Sequence, residues 1–308
     1  MRMPASRRGF LAGAATASLL GIPRASHAEK FSFKTVTPGT ITVAMNGDMP
    51  MTSVQDGKLI GTDGEMINVI AAKLGLTTTP LLMEWSATIQ SIRSGRADIM
   101  LGNMGWTPAR AQVLLITDGV YYPGKFALMR QDKPFKDSIG ISDMKGYSLG
   151  TVTGFTTVPE LKKVPGTTEV KLYDTTDACV RDVVAGRLDL AFLDAPTVAY
   201  LILRNASWGL KQVPISIDPA FPIMTNKSIT VFGMSSDNPD LFDAVNDGVK
   251  WLWKSKANAE ILAKYGVGSA TYFQLPPTNL RLNVDRTADD GIIGPFGHTA
   301  KDYSTAFS

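Results

Sequence analysis

Gly95-Arg96-Ala97-Asp98-Ile99 and Gly186-Arg187-Leu188-Asp189-Leu190 are one short pattern written twice, 91 positions apart. Each follows an amphipathic helix and opens an apolar run. A helix around Thr88–Ser94 leads into Asp98-Ile99-Met100-Leu101, and a helix over Asp177–Ala185 leads into Leu188–Leu193. Glycine takes the left-handed backbone that ends a helix, and the short apolar run behind it suits a buried strand. The matching helix-glycine-strand context predicts an α/β chain organised as two lobes.

The flanking sequence extends the same plan. Ile41-Thr42-Val43-Ala44-Met45 is a β-rich run ending at the turn signal Asn46-Gly47-Asp48. From Asp63, the residues Met66, Ile67, Ile70 and Leu74 recur at helical spacing until Gly75. Tyr147–Val152 reads as the matching strand of the second half. Cys179, Val180, Val183 and Val184 share one helical face, which places the single cysteine in the core. Asn238-Pro239 predicts a capped helix start, with Leu241, Phe242, Val245, Val249 and Leu252 as its buried stripe. A shorter helix, Ala257–Tyr265, stops at Gly266. Beyond Pro276-Pro277 the periodicity decays, so residues 276–308 are expected to be an irregular tail, wrapped over the body or partly disordered.

Of the 308 residues, 44% are hydrophobic, enough for a substantial core. One cysteine and two histidines, His27 and His298, exclude an intrachain disulfide and leave no material for a multi-histidine zinc site or a His-dependent triad in the body. No metal or cofactor is expected. Residues 1–28 carry Arg2, Arg7 and Arg8, an apolar stretch from Phe10 to Ile22, and Ser26-His27-Ala28. They predict an export leader cut after Ala28, and Ser6-Arg7-Arg8-Gly9-Phe10-Leu11 resembles the twin-arginine export motif. With no cysteine near the cut, a lipid anchor is not expected, and the protein is placed free in the periplasm. Removing the leader takes four arginines and no acid. That leaves 27 basic residues against 28 acidic ones, so the formal +3 becomes −1. The basic isoelectric point thus belongs largely to the leader and gives no support for nucleic-acid or anionic-membrane binding.

Open α/β sheets bind ligands beyond the carboxyl ends of their strands. That rule selects Asn46–Met51 and Gly102–Arg110, which includes Asn103, in one lobe. In the other it selects Thr153–Thr157 and Asp194. A cleft between the lobes would set one guanidinium, Arg110, against one carboxylate, Asp194. The pair suits a zwitterion: the planar fork grips a carboxylate through two parallel bonds, and the acid takes an ammonium. The Thr107 or Thr156 hydroxyl and the main chain of Gly105 would fill the remaining valences.

These residues are joined by Gly39-Thr40-Ile41-Thr42-Val43, Gly61-Thr62-Asp63 with Glu65-Met66, Ala72-Lys73-Leu74-Gly75 and Trp85. Thr107-Pro108-Ala109-Arg110, Tyr121-Tyr122, Ile141-Ser142-Asp143-Met144-Lys145-Gly146 and Ala263-Lys264-Tyr265-Gly266 complete the set. In order and spacing, over roughly Gly39 to Gly266, the chain resembles the periplasmic solute-binding proteins of polar amino-acid ABC transporters. The resemblance implies a two-lobed periplasmic-binding-protein fold of type II, with a discontinuous first lobe (29–127 and 230–275), a second lobe (128–229) and the tail 276–308. Two crossover strands are expected near Ala127–Arg130 and Lys227–Thr230. It implies a monomeric binding protein, not an enzyme, that delivers an amino acid or similar small molecule to an inner-membrane ABC permease. By the same resemblance, Arg110 binds the ligand carboxylate and Asp194 its ammonium, with Gly105, Thr107 and Thr156 in support. The chain departs from the family pattern at Asp48, where an aromatic is common, at Met51, and at Phe155. Asp48 would either favour a cationic side chain or sit in a solvated turn, while Met51, Trp85 and Phe155 are candidate apolar walls. A rival reading on the same fold is an exported cyclohexadienyl dehydratase acting on prephenate or arogenate, with Asp48 or Glu84 as its acid.

Overall fold

A computed structural model describes residues 31–289, 291–293 and 299–308. The export leader read over residues 1–28 lies outside them. Two five-stranded sheets carry the architecture. In the first, the order is Thr77–Leu82, Thr40–Met45, Ile99–Met100, Gly233–Met234, Leu115–Ile116. The first three strands are parallel, with Val43 opposite both Pro80 and Ile99, and Gly233–Met234 runs antiparallel to both its neighbours. In the second, the order is Leu210–Pro214, Phe126–Arg130, Leu190–Ala191, Ser148–Val152, Glu169–Tyr173. Its last three strands are parallel, and Phe126–Arg130 is antiparallel to both strands beside it.

The repeated Gly-Arg-x-Asp phrase now has a physical content. Both glycines end their helices at positive φ, +69° for Gly95 and +71° for Gly186. In each copy the aspartate reaches across to the start of the adjacent parallel strand. Asp98 accepts from the Thr42 N–H at 2.7 Å and the Val36 N–H at 2.9 Å. Asp189 accepts from the Ser148 N–H at 2.9 Å and from its hydroxyl at 2.8 Å. Each carboxylate satisfies backbone donors at the foot of a strand that the ladder leaves open, and so pins the strand register.

The chain passes between the sheets twice. Ser228 N donates to the Pro123 carbonyl at 2.9 Å, and Thr230 pairs with both Tyr121 and Gly105. The outward crossing therefore falls at Pro123–Lys125, ahead of the expected Ala127–Arg130. That segment is already inside the second sheet, because its apolar Ala127, Leu128 and Met129 are buried there between two antiparallel neighbours.

Helix Thr62–Lys73 buries Met66, Ile67, Ile70 and Ala71 on the first sheet. Helix Pro239–Ser255 presents Leu241, Phe242, Val245, Val249 and Leu252, all fully buried, to the same core. Burying each such side chain contributes on the order of 1.5–3 kcal/mol, so this stripe dominates the lobe. The two helices meet over Gly248, where a Cβ would lie 2.7 Å from Ile70 Cγ2 and 3.0 Å from Phe307 Cζ. Gly248→Ala is therefore expected to destabilise the fold by about 1–3 kcal/mol in chemical denaturation, despite the better helix propensity of alanine. An unchanged midpoint would show that the contact yields freely.

Two expectations need correction. Asn238 sits at the start of its helix but makes no side-chain cap; its amide donates instead to the Lys34 carbonyl. Helix Trp85–Arg93 begins three residues before the expected Thr88. Its inward face includes Thr88 and Ser91, whose hydroxyls turn back onto the Trp85 and Thr88 carbonyls, so the apolar stripe is broken in sequence but not in packing. The described tail is wrapped onto the first lobe. Arg281 and Arg286, both buried, donate to the Ile116 carbonyl at 3.0 and 2.8 Å, and Arg281 also reaches the Thr117 carbonyl at 2.6 Å. Together they cover the edge strand Leu115–Ile116. Buried Asp285 joins the two guanidiniums, and Phe307 seals the far end against Trp251.

Candidate functional site

Thr107 stands at the N-cap of the short helix Pro108–Ala111, its hydroxyl accepting from Arg110 N–H at 3.2 Å. Proline at the first helical position loses no needed donor there. This turn aims the Arg110 side chain across the cleft. Its guanidinium donates to the Gly105 carbonyl in its own lobe at 2.6 Å and to the Gly154 carbonyl of the second lobe at 3.0 Å. Trp85 lies 5.5 Å beneath it, face to cation, and Phe155 of the other lobe meets Trp85 edge-on at 6.3 Å. Guanidinium has five donors, so the two carbonyls leave three N–H groups uncommitted. Burial pushes Arg110 down to about 10, with Asp194 pulling it back up, so it remains a cation at neutral pH.

Asp194 comes from the second lobe, at the start of helix Ala195–Arg204, and makes no cap bond with its side chain. It is half-buried and lines the same cavity as Arg110, Asn103, Gly105, Trp85 and Thr156. Burial pushes Asp194 up to about 7; the Asn103 amide and the Lys125 ammonium pull it down, while Asp48 and Asp63 add to the rise. The cavity measures about 30 Å³, far below the roughly 300–1,000 Å³ of ordinary small-molecule sites. A ligand larger than water therefore needs the lobes to part. They touch closely: a Cβ on Gly105 would stand 3.2 Å from Thr156 Cγ2. Gly154 holds φ +83° there, and a Cβ on it would lie 3.4 Å from the Ser86 backbone across the cleft.

Of the residues singled out from sequence, Arg110, Asp194, Asn103, Gly105, Trp85, Phe155 and Thr156 line this one cavity. Thr107 supports it from behind as a cap. Asp48 is outside the lining and spans the lobes: its carboxylate accepts from Thr176 Oγ1 at 2.5 Å and from Asn46 Nδ2 at 2.8 Å. Met51 is no wall. It is buried in the first-lobe core, with the Tyr121 hydroxyl 3.1 Å from its sulfur. Cys179 is fully buried and burial pushes its thiol up, as befits core.

Two participants escaped the sequence reading. Asp63, fully buried, accepts from the N–H groups of Gly102 (3.2 Å) and Asn103 (2.6 Å) and from the Tyr121 hydroxyl (2.9 Å). It fixes the loop that carries Asn103 at φ +53° and hence the floor of the site. Lys125 lines the cavity from the outward crossing. The sequence signal for it was its place between the punctuating Pro123-Gly124 and the strand beginning at Phe126.

Chemically, a cation from one lobe and an acid from the other face one cavity, with hydroxyl and main-chain groups between them. Nothing in the set pairs a nucleophile with a base. Residues 41–268 match the bacterial extracellular solute-binding proteins, family 3. The chain is 23% identical over 218 residues to the "Probable amino-acid-binding protein YxeM" of Bacillus subtilis, covering 70% of this chain and 79% of that one. It is also 23% identical over 217 residues to the histidine-binding periplasmic protein of Salmonella typhimurium, covering 68% and 80%. Among solved structures, the substrate-binding protein of an amino acid ABC transporter superposes with a TM-score of 0.65 at 22% identity. That match covers 74% of this chain and 99% of the other.

Proposed function

Because the chain belongs to the bacterial extracellular solute-binding proteins, family 3, we propose that it is the binding component of an amino-acid ABC transporter. It captures an amino acid or amino-acid-like molecule between its lobes and is not an enzyme. The observation that carries this reading is the meeting of Arg110 and Asp194, one from each lobe, on a single cavity. Arg110 takes the α-carboxylate with its uncommitted N–H groups and Asp194 takes the α-ammonium. Gly105, Thr156 and Asn103 supply further polar contacts, and Trp85 with Phe155 forms the apolar cover. A ligand that touches both lobes binds the closed form selectively, which is what shifts the population towards closure. The closed surface is then presented to an inner-membrane permease, with the protein acting as a monomer in the periplasm. Among the described residues, no helix is long and apolar enough to cross a membrane.

A thermal-shift screen of the purified protein against the common amino acids tests the reading. At least one is expected to raise the melting temperature in proportion to the logarithm of its concentration, since it binds only the native state. Absence of any shift, together with turnover of prephenate, would contradict it.

Asp194 gives the reading a pH signature. An ammonium ligand needs the carboxylate ionised, whereas burial in the closed, empty cleft raises its proton affinity to about 7. Binding then takes up the cost of expelling that proton. Affinity is expected to fall by up to about tenfold per unit as pH drops below 7, with about one proton released per ligand in calorimetry at low pH. A flat profile between pH 5.5 and 8 would mean that Asp194 does not hold the ammonium.

A further inference from the structure

The cavity wall contains two polar groups that the Arg110–Asp194 pair does not use. Lys125 has its backbone fixed, its carbonyl accepting from Ile215 N–H at 3.1 Å, while the residue lines the cavity. Among the described residues, no hydrogen bond or ion pair engages its ammonium, although Asp194, Glu160 and Arg110 all act on it electrostatically. Glu160 is occupied elsewhere, accepting from the N–H groups of Ile223 (3.1 Å) and Met224 (2.8 Å). Thr157 lines the same cavity, is buried, and its hydroxyl has no hydrogen-bond partner. A buried polar group without a partner is costly, which applies to the Thr157 hydroxyl. With the half-buried Lys125 ammonium beside it, the wall is arranged for something that supplies acceptors.

The charge balance names the acceptor. Arg110 and Lys125 face Asp194 alone among the charged residues lining the cavity, an excess of one positive charge. Asp48 lies outside the lining, bonded to Thr176 and Asn46. A zwitterion leaves the excess in place and a cationic side chain doubles it. A ligand with a second carboxylate cancels it, and an ammonium donates as a compact point charge to such a group. Burial also pushes the Lys125 ammonium down, which a carboxylate beside it would reverse.

We propose that Lys125 and Thr157 form an anion subsite for the ligand side chain, so that this protein selects acidic, dicarboxylic amino acids. The proposal rests on the amino-acid-binding reading above and adds the side-chain class to it.

Calorimetry with L-glutamate and L-aspartate against L-glutamine and L-asparagine tests it, because each acid and its amide differ in charge but hardly in shape. The unsubstituted protein is expected to bind an acid at least about tenfold more tightly than its amide, the effect of one charge-assisted bond. Lys125→Met should erase that preference by weakening the acid by at least about tenfold more than the amide, which also loses some affinity because Lys125 helps to keep Asp194 ionised. Thr157→Val should reduce the preference without abolishing binding. Equal or tighter binding of the amides, or a preference for lysine or arginine, in the unsubstituted protein overturns the subsite while leaving the amino-acid reading standing. So does a preference that survives in Lys125→Met. Binding of no amino acid at all overturns both. The comparison in the unsubstituted protein decides the matter even if a variant fails to fold.

Discussion

Arg110→Ala is expected to weaken ligand binding by about 2–5 kcal/mol, roughly thirtyfold to several-thousandfold in Kd. The guanidinium is only 6% exposed, backed by the Trp85 face, and already committed to two carbonyls, so its remaining donors have a fixed direction. A ligand carboxylate brought against alanine would be desolvated with nothing to receive it, and the donor from the first lobe to Gly154 would vanish with it. Folding should suffer much less than binding. Arg110 sits at a desolvation cost, visible in its depressed proton affinity, and alanine relieves that cost. Calorimetry reads the first effect and urea denaturation the second. A Kd within threefold of the unsubstituted value would remove Arg110 from the site.

Asp285→Ala should have a large effect of the opposite kind, costing about 3–5 kcal/mol of stability with little change in ligand selectivity. Asp285 is 5% exposed and accepts from both tail arginines, with Arg281 Nη2 at 2.5 Å and Arg286 Nη1 at 3.4 Å. Its removal leaves two buried guanidiniums dependent on main-chain carbonyls and on the half-buried Asp118. Asp285 also accepts from Trp106 Nε1 at 3.1 Å, and Trp106 precedes Thr107, which caps the Arg110 turn. The tail is thereby tied into the first lobe immediately behind the site. Urea denaturation at neutral pH measures the loss. A change below about 1 kcal/mol would mean that the tail lies on the lobe without supporting it.

Much of the lobe framework was legible because its residues announce themselves by period. Met66, Ile67 and Ile70, like Leu241 through Leu252, are apolar at helical spacing and buried in one core. The paired aspartates Asp98 and Asp189 could be matched by eye, although only the strand partners explain why an acid is needed at that point. What stayed hidden depends on tertiary neighbours. Thr88 and Ser91 look polar, yet they face inward because each hydroxyl is satisfied by its own helix. Arg281, Asp285 and Arg286 read as a solvated tail; only the open edge at Leu115–Ile116 makes them structural. Met51 and Asp48 flank the cis Met49-Pro50 bond, one residue after and two residues before that proline. One points into the core and the other spans the lobes, a divergence that no local pattern encodes. Lys125 was passed over for a simpler reason, since a lone cation beside a turn is ordinary until the opposite lobe is seen to close upon it.

The most direct measurement is a crystal structure of the protein with the amino acid that gives the largest thermal shift. The expected result is one ligand between the lobes, its α-carboxylate on the Arg110 guanidinium and its α-ammonium on the Asp194 carboxylate. A ligand held by one lobe alone, or bound with Arg110 and Asp194 contacting neither of its charged groups, would contradict the capture of a zwitterion between them.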